Sequence, residues 1–534
     1  MAWKTKTIGI GVTGILTLSG AVQGVAVDNR ASWDFSKLEK IDATSQTRAV
    51  FGFNALSSIN DDYSFYFDGA DAFSQTLIAP CEMTELFDSK YWPFNPCIEG
   101  IDSRKVGTSQ WVTGSLSPTQ LGKPTMSIDK KGLDTHVGEM RPYDPKFFRP
   151  VGYKATVWNL GNKHKGGSNY LLRAALYGSD VEKDISSYDG GLQKYFRLEI
   201  LPVSTPSNTT VTQDQLVVQE FPEDYEFRVR LKLAVFIKSI SGWFFSRLSD
   251  PTIKREFKTA EGRLEISGRP ALVPIGITNV LPKTATPKVF CVDQPRFCET
   301  NQVLFDRAVT FGDLESWDPK VLGQWEGVPG GVKTAATISI WRVDTSRLSE
   351  AYKGQSAESQ RCLADLYGKG ARVFLGAVMS NASLYQNTPP SWDEVNKSFV
   401  FKVASPHLDE NGQPNMGSYT LYIPLEQAKC RWGNATTNAK AEVQVINSDG
   451  KSSITTIVVT TENENLRFNI AGFGYSSPTI KIRMGNDISG PIGSKVANSP
   501  SPLKMAIKCV KGKAVKKVVG VKPVCPSGYK KVAA

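Results

Sequence analysis

Residues 227–235 alternate strictly, with Phe227, Val229, Leu231, Leu233 and Val235 on one side and Arg228, Arg230 and Lys232 on the other. Successive side chains of a β-strand point to opposite faces, so this pattern demands a strand with one buried and one charged face. Similar runs occur at 151–158, 194–202, 335–343, 397–404, 418–425, 441–446, 453–460 and 465–471. Asn447-Ser-Asp-Gly450 between two of them is a good hairpin turn. Helical periodicity is scarce, and 347–367, from Arg347 through Leu363 and Leu366, is its best stretch. The chain is expected to be mainly β.

The strand patterns repeat in the same order at a separation near 204 residues that drifts down to 192 and 183 for the last two matches below, as loop insertions would cause. Arg263, Leu264, Ile266, Gly268 and Pro274 align without gaps on Arg467, Phe468, Ile470, Gly472 and Pro478. Phe196, Leu198 and Ile200 match Phe399, Phe401 and Val403, and Tyr170–Leu176 resembles Arg372–Val378. Phe227, Val229 and Leu231 match Tyr419, Leu421 and Ile423, and Trp158 matches Trp341. An internal duplication predicts two tandem antiparallel β-sandwich (Ig-like) domains of roughly seven strands each, since a sandwich buries one face of every sheet.

A chain of 534 residues exceeds one ordinary core. The expected division is a signal peptide at 1–26, an irregular N-terminal region at 27–144, and a first sandwich at 145–285. A second sandwich at 286–490, a linker at 491–502 and a basic tail at 503–534 complete it. Proline-bearing residues 269–290 read as the connection between the halves. Lys4 and Lys6 precede an apolar stretch from Ile8 to Val22, and Gly24 and Ala26 suit cleavage after Ala26, as in a secretory signal. No later stretch has the ~18 apolar residues of a membrane-spanning helix, so the mature chain is expected to carry no transmembrane segment.

The eight cysteines, Cys81, Cys97, Cys291, Cys298, Cys362, Cys430, Cys509 and Cys525, all follow that signal. In an exported chain an even number reads as disulfides, with about 105 pairings open. Pairing of sequence neighbours predicts Cys81–Cys97, Cys291–Cys298, Cys362–Cys430 and Cys509–Cys525. No Cys-x-x-Cys is present and the histidines number three, His136, His164 and His407, so zinc is not expected.

Of the net charge of +11, residues 503–534 carry nine lysines and no acid, Lys4 and Lys6 supply two more, and the body is neutral. A neutral body lacks the basic footprint of a nucleic-acid binder. In the tail, Lys508, Lys511, Lys513, Lys516, Lys517, Lys522, Lys530 and Lys531 are the candidate anion-binding residues, in a small hairpin closed by Cys509–Cys525. Anionic cell-wall polymers or glycans are the expected partners, through an attraction that salt weakens.

Catalytic signatures are missing from the sequence. There is no Gly-x-Ser-x-Gly, no His-Glu-x-x-His and no phosphate-binding glycine loop with lysine. His407 reads as a loop histidine with a structural hydrogen bond. Asp180, Glu182, Asp184 and Asp189, and the pair Asp409 and Glu410, read as solvated loop acids, although a glycosidase needs no more than two such carboxylates. Leu281-Pro-Lys-Thr-Ala285 resembles a sorting signal but lies mid-chain without the apolar segment and basic end such anchoring requires. The aromatic run Trp243-Phe-Phe245 is read as packing against a sandwich edge more readily than as a sugar platform.

The tail, Ile507-Lys-Cys-Val-Lys-Gly-Lys513 with Cys525-Pro-Ser-Gly-Tyr-Lys-Lys531, resembles a short C-terminal module of secreted actinobacterial proteins. The body resembles uncharacterised secreted proteins of the same group at Gly242-Trp-Phe through Asp250-Pro-Thr-Ile253, at Ala404-Ser-Pro-His-Leu408 and at Ala428-Lys-Cys-Arg-Trp-Gly433, as well as at Phe473-Gly-Tyr through Ser477-Pro-Thr479. The resemblance implies an extracellular compartment and brings no catalytic or ligand-binding residue. The expected function is that of a secreted, non-enzymatic surface protein for adhesion, recognition or envelope structure, without a cofactor. The alternative is a secreted carbohydrate-active hydrolase with appended binding domains.

Overall fold

A computed structural model describes residues 46–53, 74–83, 95–122, 152–178, 195–205, 210–212, 216–233, 242–256, 262–274, 277–282, 308–311, 333–334, 337–345, 362, 374–385, 389–433, 440–446, 452–453, 456–475, 479–485, 505–511, 514–520 and 529–532. Contacts divide the chain into two units, 1–486 and 487–534.

The first unit is mainly β. Its principal strands are β1 (Ser74–Ile78), β2 (Cys97–Lys105), β3 (Thr156–His164), β4 (Gly167–Gly178), β5 (Tyr195–Ser204), β6 (Tyr225–Lys232), β7 (Gly242–Glu256) and β8 (Arg263–Pro274). They continue with β9 (Thr337–Thr345), β10 (Phe374–Ser380), β11 (Ser398–Ala404) and β12 (Met416–Pro424). Helix α1 (Leu425–Trp432) precedes β13 (Lys440–Ile446), β14 (Thr456–Glu462), β15 (Asn465–Gly474) and β16 (Thr479–Gly485). Each alternating run noted in the sequence overlaps one of these strands, although 194, 234–235, 335–336 and 454–455 lie outside the described residues.

One long central sheet runs β14–β15–β12–β10–β7–β9–β5–β4, and the far edge of β4 is shared by β3 and β1. All its pairings are antiparallel except β7 with β10. A smaller sheet, β2–β6–β8 with the second half of β7, covers one face. The core between them holds Phe227, Val229, Leu231, Leu264 and Ile266 against Tyr170, Leu172, Phe196, Leu198, Trp341 and Phe374. A third sheet, built on β11–β16–β13, and α1 cover the other face with Phe399, Phe401, Ile480 and Ile482 against Trp243, Phe245, Tyr419, Leu421 and Phe468.

This layering explains the aromatic run. Trp243 and Phe245 enter one core and Phe244 the other, and all three are buried. A strand buried on both faces loses the alternation of a half-exposed one. β10, Phe-Leu-Gly-Ala-Val-Met-Ser, is buried along its whole length for the same reason.

β7 joins two sheets. Its first half pairs with β9 and β10; from Leu248 on it pairs with β8, across a register shift between Ser249 and Thr252 where Asp250 has φ 49°. β8 and β9 close the corner by pairing Ala271–Pro274 with Thr337–Ile340.

The expected boundary at 285/286 is therefore crossed by hydrogen bonds: β9 lies between β5 and β7, and β10 pairs with β7. The supposed connection 269–290 is no free linker, since Pro270 and Pro274 lie in β8 and Ile277–Pro282 pairs with Gln46–Phe51. That strand also takes in Leu281 and Pro282 of the sorting-like motif. The N-terminal region is not simply irregular either. β2 supplies Ile98 and Ile101 to the first core; a register shift opposite Arg230 and Leu231 accounts for their spacing of three.

The internal correspondence holds at one strand pair. β6 pairs with β8 and β12 pairs with β15, but Val229 faces Ile266 whereas Leu421 faces Phe468, two residues from the aligned position. A slip of two keeps the same side chains on the core face. Elsewhere the correspondence lapses: β4 and β5 are paired neighbours, while their counterparts β10 and β11 lie in different sheets.

α1 was not anticipated. Pro424 precedes it, Glu426 stands in its first turn, Lys429 and Arg431 in its last, and Gly433 ends it at φ 64°, donating its N–H to the Lys429 carbonyl. These are ordinary terminal signals, muted by a length of eight residues. The stretch 347–367 lies outside the described residues except for Cys362.

The second unit is a three-stranded antiparallel sheet of β17 (Met505–Lys511), β18 (Ala514–Gly520) and β19 (Lys530–Val532), with β17 in the centre. The expected hairpin closed by Cys509–Cys525 is not shown: the sheet has three strands, and Cys525 lies outside the described residues.

Candidate binding surface

The outward face of β2–β6–β8–β7 is where the alternation of 227–235 places Arg228 and Arg230, and there it meets carboxylates from the neighbouring strands. Asp102 of β2 lies at the centre with no exposed side-chain surface. Arg228 Nε donates to its Oδ2 at 2.8 Å; Arg230 Nε donates to the same oxygen at 2.9 Å and Nη2 to Oδ1 at 3.1 Å. Burial alone would raise the Asp102 carboxyl. Hydrogen bonds from Arg230 and Thr113, with the charges of Arg230 and Arg228, overcome that and hold it below the usual carboxylate range.

The lattice extends on both sides. Arg228 also approaches Glu265 at 3.5 Å, Lys254 Nζ reaches Glu265 at 2.8 Å, and Arg263 Nε donates to Glu99 at 2.9 Å. Arg104 Nε donates to Glu226 at 2.7 Å. The Arg104 and Arg228 guanidinium carbons lie 4.4 and 4.5 Å from the centre of the Trp111 ring, a half-buried indole just before the strand that edges β2. A shallow depression of about 410 Å³ lies over this face, lined by Glu99, Arg230, Lys254, Glu256, Arg263, Leu264 and Glu265. Of the carboxylates lining it, Glu99 is engaged by Arg263 and Glu265 by Arg228 and Lys254, an arrangement suited to polar contact on the sheet. A glycosidase would need one carboxyl kept protonated and another free to attack or activate water.

A second set of charges is internal. Across β4, β5 and β9, Arg197 Nε donates to Asp344 Oδ1 at 2.8 Å, Arg342 lies 3.0 Å from Oδ2, and Arg173 lies 3.6 Å from Glu199. Arg247 of β7 donates to the Ser380, Ala382 and Ser383 carbonyls, tying β7 to the end of β10. These side chains are buried and brace the central sheet.

Cys81–Cys97 and Cys362–Cys430 are bonded, with Cα separations of 4.9 and 5.9 Å. The first ties the approach to β2, the second ties α1. Cys291, Cys298 and Cys525 lie outside the described residues, as do Lys513 and Lys522; Cys509, Lys508, Lys511, Lys516, Lys517, Lys530 and Lys531 fall on the tail strands. His407 Nδ1 is 2.7 Å from the Tyr475 carbonyl, a structural bond. His164 lies 2.9 Å from the Asn169 carbonyl and edge-on to Tyr170, and burial lowers its pKa. Asp409 accepts the N–H groups of Asn411 and Gln413, closing its own loop. Asp180, Glu182, Asp184, Asp189 and His136 lie outside the described residues.

Among the described residues no three His, Cys, Asp or Glu are placed to hold a metal ion, and no helix is long and apolar enough to cross a membrane. The sequence displayed the two arginines of the charged face but not their partners, because Asp102 sits in Ile98-Glu-Gly-Ile-Asp-Ser103, where the isoleucines are three apart and break the alternation. No family model matches the chain, and no curated protein matches it.

Proposed function

We propose that the chain is a secreted, non-enzymatic protein of the cell surface or envelope, of the actinobacterial kind its tail resembles, that works in adhesion, recognition or wall structure. The observation that carries this reading is the charged face of β2–β6–β8–β7, where carboxylates are bound into ion pairs on a rigid sheet instead of converging on a reaction centre. Two disulfides in a mainly β body accord with an oxidising compartment. The similar strand pairs β6–β8 and β12–β15 are read as the remnant of an ancestral duplication whose other strands have since changed partners. The basic tail is read as an electrostatic tether to anionic wall polymers.

The test is retention of the purified protein on isolated actinobacterial cell walls, with residues 503–534 present and deleted, across a salt series. Salt-sensitive retention that disappears on deletion is expected. Equal retention of the two forms would remove the tether and turn attention to the charged face of the body.

A further inference from the structure

We infer that β14 is a docking edge filled by a second copy of this chain, the two β14 strands pairing antiparallel about a two-fold axis at Val459. β14 ends the central sheet: among the described strands it pairs with β15 alone. That pairing runs without a register shift from Thr456 opposite Ala471 to Glu462 opposite Asn465. Asn463 and Glu464, at φ 49° and 63°, make the two-residue turn that joins the strands.

Such a turn closes on a hydrogen-bonded pair, and bonded and non-bonded pairs alternate along an antiparallel ladder. Glu462, Thr460 and Val458 therefore direct their backbone N–H and C=O groups to β15, whereas Thr461, Val459 and Ile457 direct theirs away from it. Outer strands are ordinarily protected by lysine, proline, a bulge or shortness. Residues 456–462, Thr-Ile-Val-Val-Thr-Thr-Glu, contain no lysine or proline and a single charge at their end. Val458 is 49% exposed and Val459 36%, although Val459 stands opposite Phe468 of the second core. The two valines belong to opposite faces of the sheet, so a strand laid along the edge would cover both.

The edge fits its own copy. With Val459 opposite the partner's Val459, Ile457 stands opposite the partner's Thr461, and Thr461 opposite the partner's Ile457. All three outward-directed residues then fall in hydrogen-bonded pairs, about six bonds in all. Val458 comes opposite the partner's Thr460, and no position from 457 to 461 brings charge against charge. A neutral, β-branched edge offers no charge by which to select a foreign strand, while self-pairing satisfies its outward groups on both chains. The contact is isologous and closes at two chains.

The test is sedimentation velocity of the purified full-length protein over a concentration series. The parent should shift from monomer to dimer as concentration rises. Val459→Pro removes one outward N–H and leaves the β14–β15 bonds in place, so it should sediment as a monomer with the circular dichroism of the parent. V459K and V459E each set like charges against each other across the axis and should also be monomeric; an equimolar mixture of the two should recover the dimer. Recovery in the mixture separates pairing at this edge from damage to the fold. A parent that stays monomeric throughout, a V459P variant that dimerises as well as the parent, or a mixture that stays monomeric would each overturn the proposal. Growth beyond the dimer would overturn the two-fold pairing. A monomeric parent that binds a capped alternating Thr-Val peptide, with that binding lost in V459P, would give the edge to a foreign strand and overturn the second copy.

Discussion

Asp102 carries two arginines while having no exposed side-chain surface of its own. Its carboxylate is the point at which β2 and β6 are joined by charge as well as by backbone. Removing one member of such a buried group leaves the others uncompensated, so Asp102→Asn is expected to cost about 3 kcal/mol in chemical denaturation. The pH dependence has a definite sign. The folded-state pKa lies below the ordinary value of 3.8, so the stabilisation is complete above the unfolded pKa and is lost as pH falls through the folded one. Stability of the parent should therefore decline below about pH 4 more steeply than that of the variant. Equal slopes for the two would show that Asp102 does not govern this acid lability. Arg228 and Arg230 were visible in the sequence because they interrupt an apolar pattern at regular intervals. Asp102 was not, because Ile98 and Ile101 beside it are three residues apart and show no strand period.

At the scale of elements, the strands that alternate were legible and those buried on both faces were not recognised for what they are. Trp243-Phe-Phe245 and Phe374–Met379 have apolar residues at consecutive positions because layers cover them on either side. Such runs point to a central sheet with two covered faces, and hence to layers and not to two separate sandwiches. Gly376 marks the tightest approach between these strands. At φ 153°, a β-carbon there would lie 2.5 Å from the Trp243 ring and 2.6 Å from the Tyr422 carbonyl oxygen. Gly376→Ala is expected to destabilise the body by about 1–3 kcal/mol through overpacking and backbone strain, read as a lower denaturation midpoint. An unchanged midpoint would mean that β7 and β12 are not packed against β10 as described.

For the whole of the first unit, the periodicity specified the class but not the wiring. Alternation records which face of a strand is buried, and it is silent on which neighbour supplies the hydrogen bonds. The repeat in pattern therefore suggested two self-contained domains, whereas β9 is inserted between β5 and β7 and β10 is laid parallel to β7. A sheet wired in this way cannot lose the segment 286–490 without exposing the edges of β5 and β7. Native-state hydrogen exchange on the intact protein, across a denaturant series, tests this most directly. The account predicts that the slowest amides of β5, β6, β9, β10 and β12 converge on one opening free energy with one denaturant dependence. Convergence of β5 and β6 on one value, and of β9, β10 and β12 on another, would contradict it and restore two independent sandwiches.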